Sequence, residues 1–562
     1  MDVSCAGCRE RDGRLARLEA QVAELTAVVT ELQQPVEVKL PLMLEENKTP
    51  LVQVLLDIIG KQARRIRVLE EAVVRLQGGK KKEPRSNSKP SNLNKRGGEG
   101  PSVDGKRPGS QKRSKTEELP IHQEVPLPPK DLPEGSTFVQ RTPFVVQDLV
   151  IQVCNTCYLV EEWQTPTGER VRGELPAGIR GHFGPGLLGF VLQQHYEVHV
   201  PQPRILEELL DYGIDISSGQ INRILTENHG AFHAEKDDLL TTGLQVSTAV
   251  NVDDSGAPHQ GCYGSCLCIS NEFFATFHSS DTKCRSKFLD VLRCGHTDYF
   301  LNEVAWSYLE KQALPLKVLQ ALQDHTERTF ADTAAWNGHL DSLGIESVKH
   351  RQTVTEAALL GSVVENGVSP NLGIVSDGAG QYDLFVHGLC WIHQERNLAK
   401  LTPCGDEQRQ AFDAVLTAVW QFYEDLKAYR AAASDPQVEP LTACFDEIVG
   451  RTTCFLELNA ALARMRANKA DLLRVLERPD LPLHTNTVER DFRDWATKRK
   501  ISAGTRGEQG KRCRDTFMSL KATCKKLGIR FWNYLQDRLL NAGKIPCLSE
   551  LVRQKAATSA TT

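Results

Sequence analysis

The sequence predicts a multidomain α+β protein, and three observations carry that prediction. Two seams of heptad-spaced apolar residues open the chain. Short β-branched runs with a strand-like period begin after residue 244. Long amphipathic helical segments interrupt and follow those runs. The 562 residues suit several domains at the usual roughly 100–200 residues each. A hydrophobic content of 40% is enough for buried cores, and a net charge of −4 excludes a uniformly basic nucleic-acid coat. No apolar run reaches the ~18–20 residues that span a bilayer, and Met1-Asp2-Val3-Ser4-Cys5 lacks the basic and apolar regions of a signal peptide. Sixteen cysteines scattered along a long chain read as reduced thiols of a cytoplasmic protein.

Residues 1–78 carry a seam at Leu15, Leu18, Val22, Leu25, Val29 and Leu32, and a second at Leu55, Ile59, Gln62, Ile66, Leu69, Val73 and Leu76. This a/d spacing predicts a coiled coil that joins copies of the chain, or folds back as a helical hairpin. Residues 79–116 turn to Gly, Pro, Ser, Asn, Lys and Arg, with twelve Lys/Arg against three acids between Lys80 and Lys115. Such a segment buries no core and reads as a disordered basic linker able to touch DNA. Residues 117–175 read as a small β-rich unit, degenerate and zinc-ribbon-like. Its Cys154-Asn155-Thr156-Cys157 supplies half of a tetrahedral zinc site, as Cys5-Ala6-Gly7-Cys8 does further up. No second ribbon-like pair follows before residue 262.

Residues 176–240 read as helical, with a helix-turn-helix look from Pro203 to Asn228. Gly213 supplies the turn, Ser217 the cap of the second helix, and Gln220, Asn222 and Arg223 a polar face able to reach base edges. Packing helices share this pattern.

Residues 241–400 carry the first part of the core. Val246–Val252, Gly261–Ile269 and Glu272–His278 predict three successive antiparallel strands. A helix follows near 283–293, then a largely helical insertion at about 295–370, a strand at Leu372–Ser376, a strand at Val386–Cys390 and a helix over Trp391–Lys400. Residues 401–481 form a second helical insertion. Residues 482–545 complete the core with basic helices, eleven Lys/Arg against two acids lying between Lys498 and Arg530, and residues 546–562 read as a tail. Three strands, a helix and further strand–helix units give the order of a ribonuclease-H-like mixed sheet with helical insertions.

Three acids stand out against this order. Asp253 ends Val250-Asn251-Val252, Asp377 ends Gly373-Ile374-Val375-Ser376 and precedes Gly378, and Glu489 lies in Thr485-Asn486-Thr487-Val488-Glu489-Arg490 at the start of a helix. Among 72 acids such residues mean nothing singly. Converging from distant segments, three carboxylates hold two Mg²⁺ or Mn²⁺ ions, roughly 3.5–4 Å apart in enzymes that cut and join phosphodiesters. Asp254 is an alternative to Asp253.

These residues resemble the DDE transposases of the bacterial insertion-sequence-66 group. The first family motif, Asp-Glu-Thr, corresponds to Asp253-Asp254-Ser255, and the second to Ser376-Asp377-Gly378 with Tyr382. The Cys-Trp-x-His segment appears as Cys390-Trp391-Ile392-His393 with Arg396 one turn on. The closing glutamate and its basic follow-up appear as Asn486–Arg490, Lys498-Arg499-Lys500 and Tyr534-Leu535.

The resemblance implies a metal-dependent transposase on a ribonuclease-H-like core, with Asp253, Asp377 and Glu489 as metal ligands and His393, Trp391 and Arg396 in support. It further implies DNA contacts from Arg490, Lys498, Arg499 and Lys500. The partners implied are element terminal repeats, target DNA and accessory proteins of the same element, in a cytoplasmic, nucleoid-associated setting with no membrane. A stand-alone nuclease of the same fold, and a catalytically inactive DNA-binding derivative, are the alternatives. The chain departs from the family pattern in its Asp-Asp-Ser motif, its single Cys pair and its 295–370 insertion.

Overall fold

The computed structural model describes residues 120–560, apart from positions 132 and 177, and Gln62 alone ahead of them. The predicted coiled coil apart from Gln62, the whole basic linker and Cys5/Cys8 therefore lie outside the described residues.

Residues 120–175 depart from the β-rich expectation. One short antiparallel ladder is present, β1 (Glu162–Gln164) with β2 (Arg170–Arg172). Within the expected β-rich unit, residues 142–153 are extended chain with Phe144, Val146, Leu149 and Val150 on the surface. A strand is stable only with a neighbour to pair and a face to bury, and alternation alone supplied neither. Cys154 and Cys157 are exposed free thiols. Among the described residues no third ligand group gathers around them, so the half-site expected to hold zinc stays a pair.

The helical expectation for 176–240 holds, with helices Pro185–Tyr196, Gln202–Asp211, Ser218–Thr226 and Gly230–Val246. Ile205 and Leu209 of the second and Ile221, Ile224 and Leu225 of the third turn inward at helical spacing. Gly213, at φ +82°, lets Ile214 N–H fold back onto Leu209 C=O at 2.9 Å, the left-handed closure that glycine adopts most readily. Ser217 then caps the next helix by accepting from Gln220 N–H at 3.2 Å.

The central element is a mixed sheet. Its strands are β3 (Ala249–Gly256), β4 (Ser265–Ser270), β5 (Ala275–Ser280), β8 (Gly373–Ser376) and β9 (Val386–Leu389), in the order β5-β4-β3-β8-β9. The first three are antiparallel neighbours, while β8 runs parallel to β3 and β9 parallel to β8. Each predicted strand exists, the first three displaced toward the C-terminus by a few residues. Strand β4 is buried along its whole length, as expected for a strand covered on both faces.

The outer edge at β5 is closed by helix Glu508–Leu527. Ala275, Phe277 and Ser279 N–H groups donate to Thr523 Oγ1, Ser519 Oγ and Asp515 Oδ2 at 3.1, 2.8 and 2.7 Å. One helical turn of ~5.4 Å nearly matches two strand residues at ~6.6 Å, so polar residues every four positions meet donors every two. The edge that could recruit another strand is thereby covered.

The first insertion is largely helical, as expected. It comprises helices Glu303–Lys311, Leu316–Asp324, Thr333–Ser342 and Val348–Glu365 and a small ladder of β6 (Tyr299–Phe300) with β7 (Thr329–Phe330). The second insertion, helices Asp406–Ala431, Val438–Gly450 and Leu456–Ala467 with two short turns after them, builds its own apolar core around Phe422, Phe445 and Leu458. Trp391 joins that core and donates its indole N–H to Leu472 C=O at 2.9 Å. Residues 546–562, expected as a tail, instead include helix Leu548–Ala560, whose Leu548 and Val552 are fully buried. No helix among the described residues is long and apolar enough to cross a membrane.

Candidate active site

The parallel register of β3 and β8 sets two of the acids side by side. Asn251 stands opposite Val375, and two positions later come Asp253 and Asp377. Asp377 follows the end of β8, whereas Asp253, expected at a strand end, lies inside β3, which pairs with β4 as far as Gly256. Asp377 begins a tight turn in which Ala379 N–H donates to its Oδ1 at 3.0 Å, and Gly378 carries φ +103°.

Glu489 arrives on helix Asn486–Ser502. The segment leading into that helix is pinned to the end of β9. Trp391 N–H donates to Leu483 C=O at 2.9 Å, and Thr485 N–H to Cys390 Sγ at 3.3 Å. Val488, Phe492 and Trp495 then seat the helix over Cys266, Cys268 and Phe277 of the sheet. Asp253 stands opposite Cys268 in the β3–β4 ladder, so its side chain leaves from that same face.

Electrostatics register the convergence. Burial, the largest cause, pushes the Asp253 carboxyl up to about 7; the Asp254 backbone N–H works against this, and Asp377, Asp254 and Glu489 add repulsion. Hard oxygen donors facing one another suit a divalent cation, which would relieve the repulsion, although the ligand atoms of Asp253, Asp377 and Glu489 do not all lie within 4.8 Å of one another. Glu489 fits less freely, because Arg396 donates to both of its oxygens at 3.0 and 3.2 Å. His393 Nε2 stands 3.8 Å from Glu489 Oε1, and its Nδ1 is buried without a hydrogen-bond partner. Burial lowers the His393 pKa, which favours a neutral ring.

Asp254 faces other work. Tyr382 and Gln381 donate to its Oδ2 at 2.5 and 3.0 Å, and Lys283 lies 2.8 Å from Oδ1. With both oxygens engaged, it is a poorer ligand candidate than Asp253. A cleft of about 470 Å³ opens beside it, and Asp253, Asp377 and Glu489 are not in its wall.

The residues expected at DNA divide. Asn222 and Arg223 are exposed and Gln220 half-buried; Arg490 and Lys500 are exposed. Lys498 is a correction: it is 1% exposed, and its ammonium donates to His195 C=O at 2.6 Å. Arg499 is spent on Ser255 Oγ at 3.0 Å and on Gly256 C=O, and lies over the Trp495 ring. The signal was present in the sequence, since Val488, Phe492, Trp495 and Lys498 recur at three- and four-residue steps and mark the inward face of a helix.

Two groups of possible metal ligands gather elsewhere among the described residues, His325/Glu327/His339 and Asp383/His387/Asp471. In the first, His325 Nδ1 already accepts Glu327 N–H at 3.2 Å and the ring packs edge-on against His339. In the second, both ring nitrogens of His387 are occupied by Ser376 and Asp471. Sequence reasoning passed over His387 and Asp471, which lie 84 residues apart in no recognisable motif.

Residues 351–512 match the family model described as transposase IS66 family. The chain is 38% identical over 322 residues to the uncharacterized protein y4jO of Sinorhizobium fredii (strain NBRC 101917 / NGR234), covering 57% of this chain and 100% of that protein.

Proposed function

Since the chain belongs to the IS66 family of transposases, we propose that it cuts the ends of its mobile element and joins the freed 3′ strands to target DNA, with Asp253, Asp377 and Glu489 holding two divalent metals. The observation that carries this reading is the register that sets Asp253 beside Asp377 on β3 and β8, with the Glu489 helix seated on the same face of the sheet through Val488, Phe492 and Trp495. The strand order β5-β4-β3-β8-β9 with parallel β3, β8 and β9 supports the ribonuclease-H-like assignment on which the reading depends.

When bound, the metals would supply an activated attacking oxygen and a stabilised leaving oxygen. The protein's own groups do the rest. Asp253 presents its oxygens from within β3 and Asp377 from the turn just past β8. Arg396 fixes the plane of the Glu489 carboxylate. The Tyr382 and Gln381 contacts to Asp254 tie β3 to the turn that follows Asp377, and Lys283 ties it to the loop after β5. Asn222 and Arg223 face solvent on a capped helix and read element ends; Arg490 and Lys500 meet phosphates. The heptad seams of residues 1–78 pair copies of the chain on two DNA ends, and the 79–116 linker adds nonspecific attraction.

A second reading, a derivative that binds DNA without cutting it, is favoured by one observation: Arg396 takes both oxygens of Glu489. Purified full-length protein, Mg²⁺ and DNA bearing the inverted repeats that flank the gene decide between the two. Nicking and joining are expected, and are lost in Asp253→Asn, Asp377→Asn and Glu489→Gln while DNA binding persists. Full activity in any one variant removes that residue from the site; binding without cleavage by the wild type selects the second reading.

A further inference from the structure

Behind the Asp377 turn runs a hydrogen-bonded row that the proposed chemistry does not use. Gly378 N–H donates to Ser376 Oγ at 3.1 Å, Ser376 Oγ and His387 Nε2 lie 2.9 Å apart, and His387 Nδ1 and Asp471 Oδ2 lie 3.0 Å apart. A carboxylate only accepts, so Nδ1 carries a proton; in the neutral ring Nε2 then accepts from the Ser376 hydroxyl, and the row has one direction. His387 and its Arg474 neighbour hold the Asp471 carboxyl below its ordinary range. Arg474 donates to His387 C=O at 3.2 Å and lies 3.4 Å from Asp471. The Ser–His–Asp order matches that of hydrolase nucleophiles, but Ser376 is fully buried, and no substrate carbonyl can reach its oxygen. The row therefore does no chemistry of its own. It ends one residue from Asp377 and starts on Lys469–Leu472, the short helix that closes the second insertion.

We infer that Asp471 is a positioning residue for Asp377, through which the second helical insertion sets the geometry of the metal-holding turn. The inference deepens the reading of Asp377 as a metal ligand and rests on it for its catalytic consequence. The coupling of Asp471 to the turn stands on geometry alone. Without the charge at Asp471 the His387 ring loses its fixed tautomer, the Ser376 hydroxyl loses its acceptor, and the Gly378 amide loses a fixed partner.

The test compares full-length wild type with Asp471→Asn, Asp471→Ala and Ser376→Ala, and with Asp446→Asn as a control that breaks an exposed ion pair to Lys469 in the same insertion. Hydrogen exchange of the peptide spanning residues 376–382 is expected to quicken at least ~5-fold in the three variants and not in the control. Mn²⁺ affinity, read by calorimetry without DNA, is expected to weaken ~10–100-fold, as for other groups that orient a ligand. The kcat of strand cleavage falls while KM for DNA stays put. Unchanged exchange in Asp471→Asn overturns the inference, and so does quickened exchange with wild-type Mn²⁺ affinity. If Asp471→Ala fails to fold, Asp471→Asn, which keeps the side-chain shape, carries the test. A wild type that binds no Mn²⁺ overturns the metal reading instead, and the exchange result still decides the coupling.

Discussion

Arg396 grips Glu489 with two parallel hydrogen bonds, at 3.0 and 3.2 Å, across 93 residues of sequence. Both side chains are largely enclosed, at 21% and 16% exposure. A fork-on-fork contact of this kind fixes the plane of the carboxylate as well as its position. It also links the helix that follows β9 to the helix that carries Glu489, so the two halves of the core separated by the second insertion meet at a charged pair.

Arg396→Gln should lower strand cleavage ~10–100-fold, the range for groups that orient a ligand, with DNA affinity unchanged. Arg396→Lys should not restore activity, because a single ammonium cannot reproduce the fork. Cleavage assays beside DNA-binding titrations check both. Full activity in Arg396→Lys would show that only charge matters at this contact.

Asp253→Asn should make the metal-free protein more stable at pH 8, by ~1–3 kcal/mol, while abolishing cleavage. The wild-type carboxyl titrates near 7 when folded against an ordinary 3.8. Between those values the folded protein binds more protons than the unfolded chain, so wild-type stability falls as pH rises through that window. The Asn variant lacks this slope. Mg²⁺ should raise the wild-type melting temperature at pH 8 and leave that of Asp253→Asn nearly unmoved. A wild type no less stable than the variant at pH 8 would refute the cost of burying the Asp253 charge.

The two strand acids were legible because their signal is local. Val250 and Val252 precede Asp253, Ile374 and Val375 precede Asp377, and each run reads as a buried strand reaching a carboxylate; β8 does stop there, while β3 continues to Gly256 because β4 still pairs with it. The helix pair over Pro203–Asn228 was legible for the same reason, through Gly213 and Ser217. What escaped was set by distance or by missing partners. Arg396 could be noted one turn beyond His393, but its pairing with Glu489 depends on how two insertions fold. Residues 142–153 alternate like a strand and yet lie exposed, since no partner strand reaches them. Asp515, Ser519 and Thr523 fell in a run read only for its positive charge, and their work on the β5 edge shows in the sequence merely as a four-residue repeat of small polar groups.

Lys498→Met should stabilise the protein near neutral pH, on the order of 2 kcal/mol, because a buried ammonium is exchanged for an apolar chain of similar length. Burial, then Lys521 and Arg514, lowers the Lys498 pKa from 10.5 to about 7. The charged form is therefore penalised fully below pH 7, and the penalty fades as pH rises toward 10.5. Urea unfolding at pH 6.5, 8 and 9.5 should show the advantage of Met shrinking with pH, offset throughout by the lost bond to His195 C=O. A Met variant that is less stable by a constant amount at every pH would refute the cost assigned to this ammonium.

The exposed cations should separate into readers and anchors. Arg223 lies on the solvent face of a helix whose Ile221, Ile224 and Leu225 are buried, so truncating it leaves the fold intact. If it contacts a base edge, Arg223→Ala should cost ~1–3 kcal/mol on DNA carrying the terminal repeats and little on random DNA. Lys500 is exposed near the end of helix Asn486–Ser502. Lys500→Ala should weaken both DNAs alike and reduce the slope of log affinity against log salt by about 1, the signature of one phosphate contact released. Competition binding between 50 and 200 mM salt, concentrations at which counterion release dominates, distinguishes the two. Equal losses on both DNAs for Arg223→Ala would move that residue from reading sequence to holding backbone, and would leave the helix pair a packing element beside the DNA.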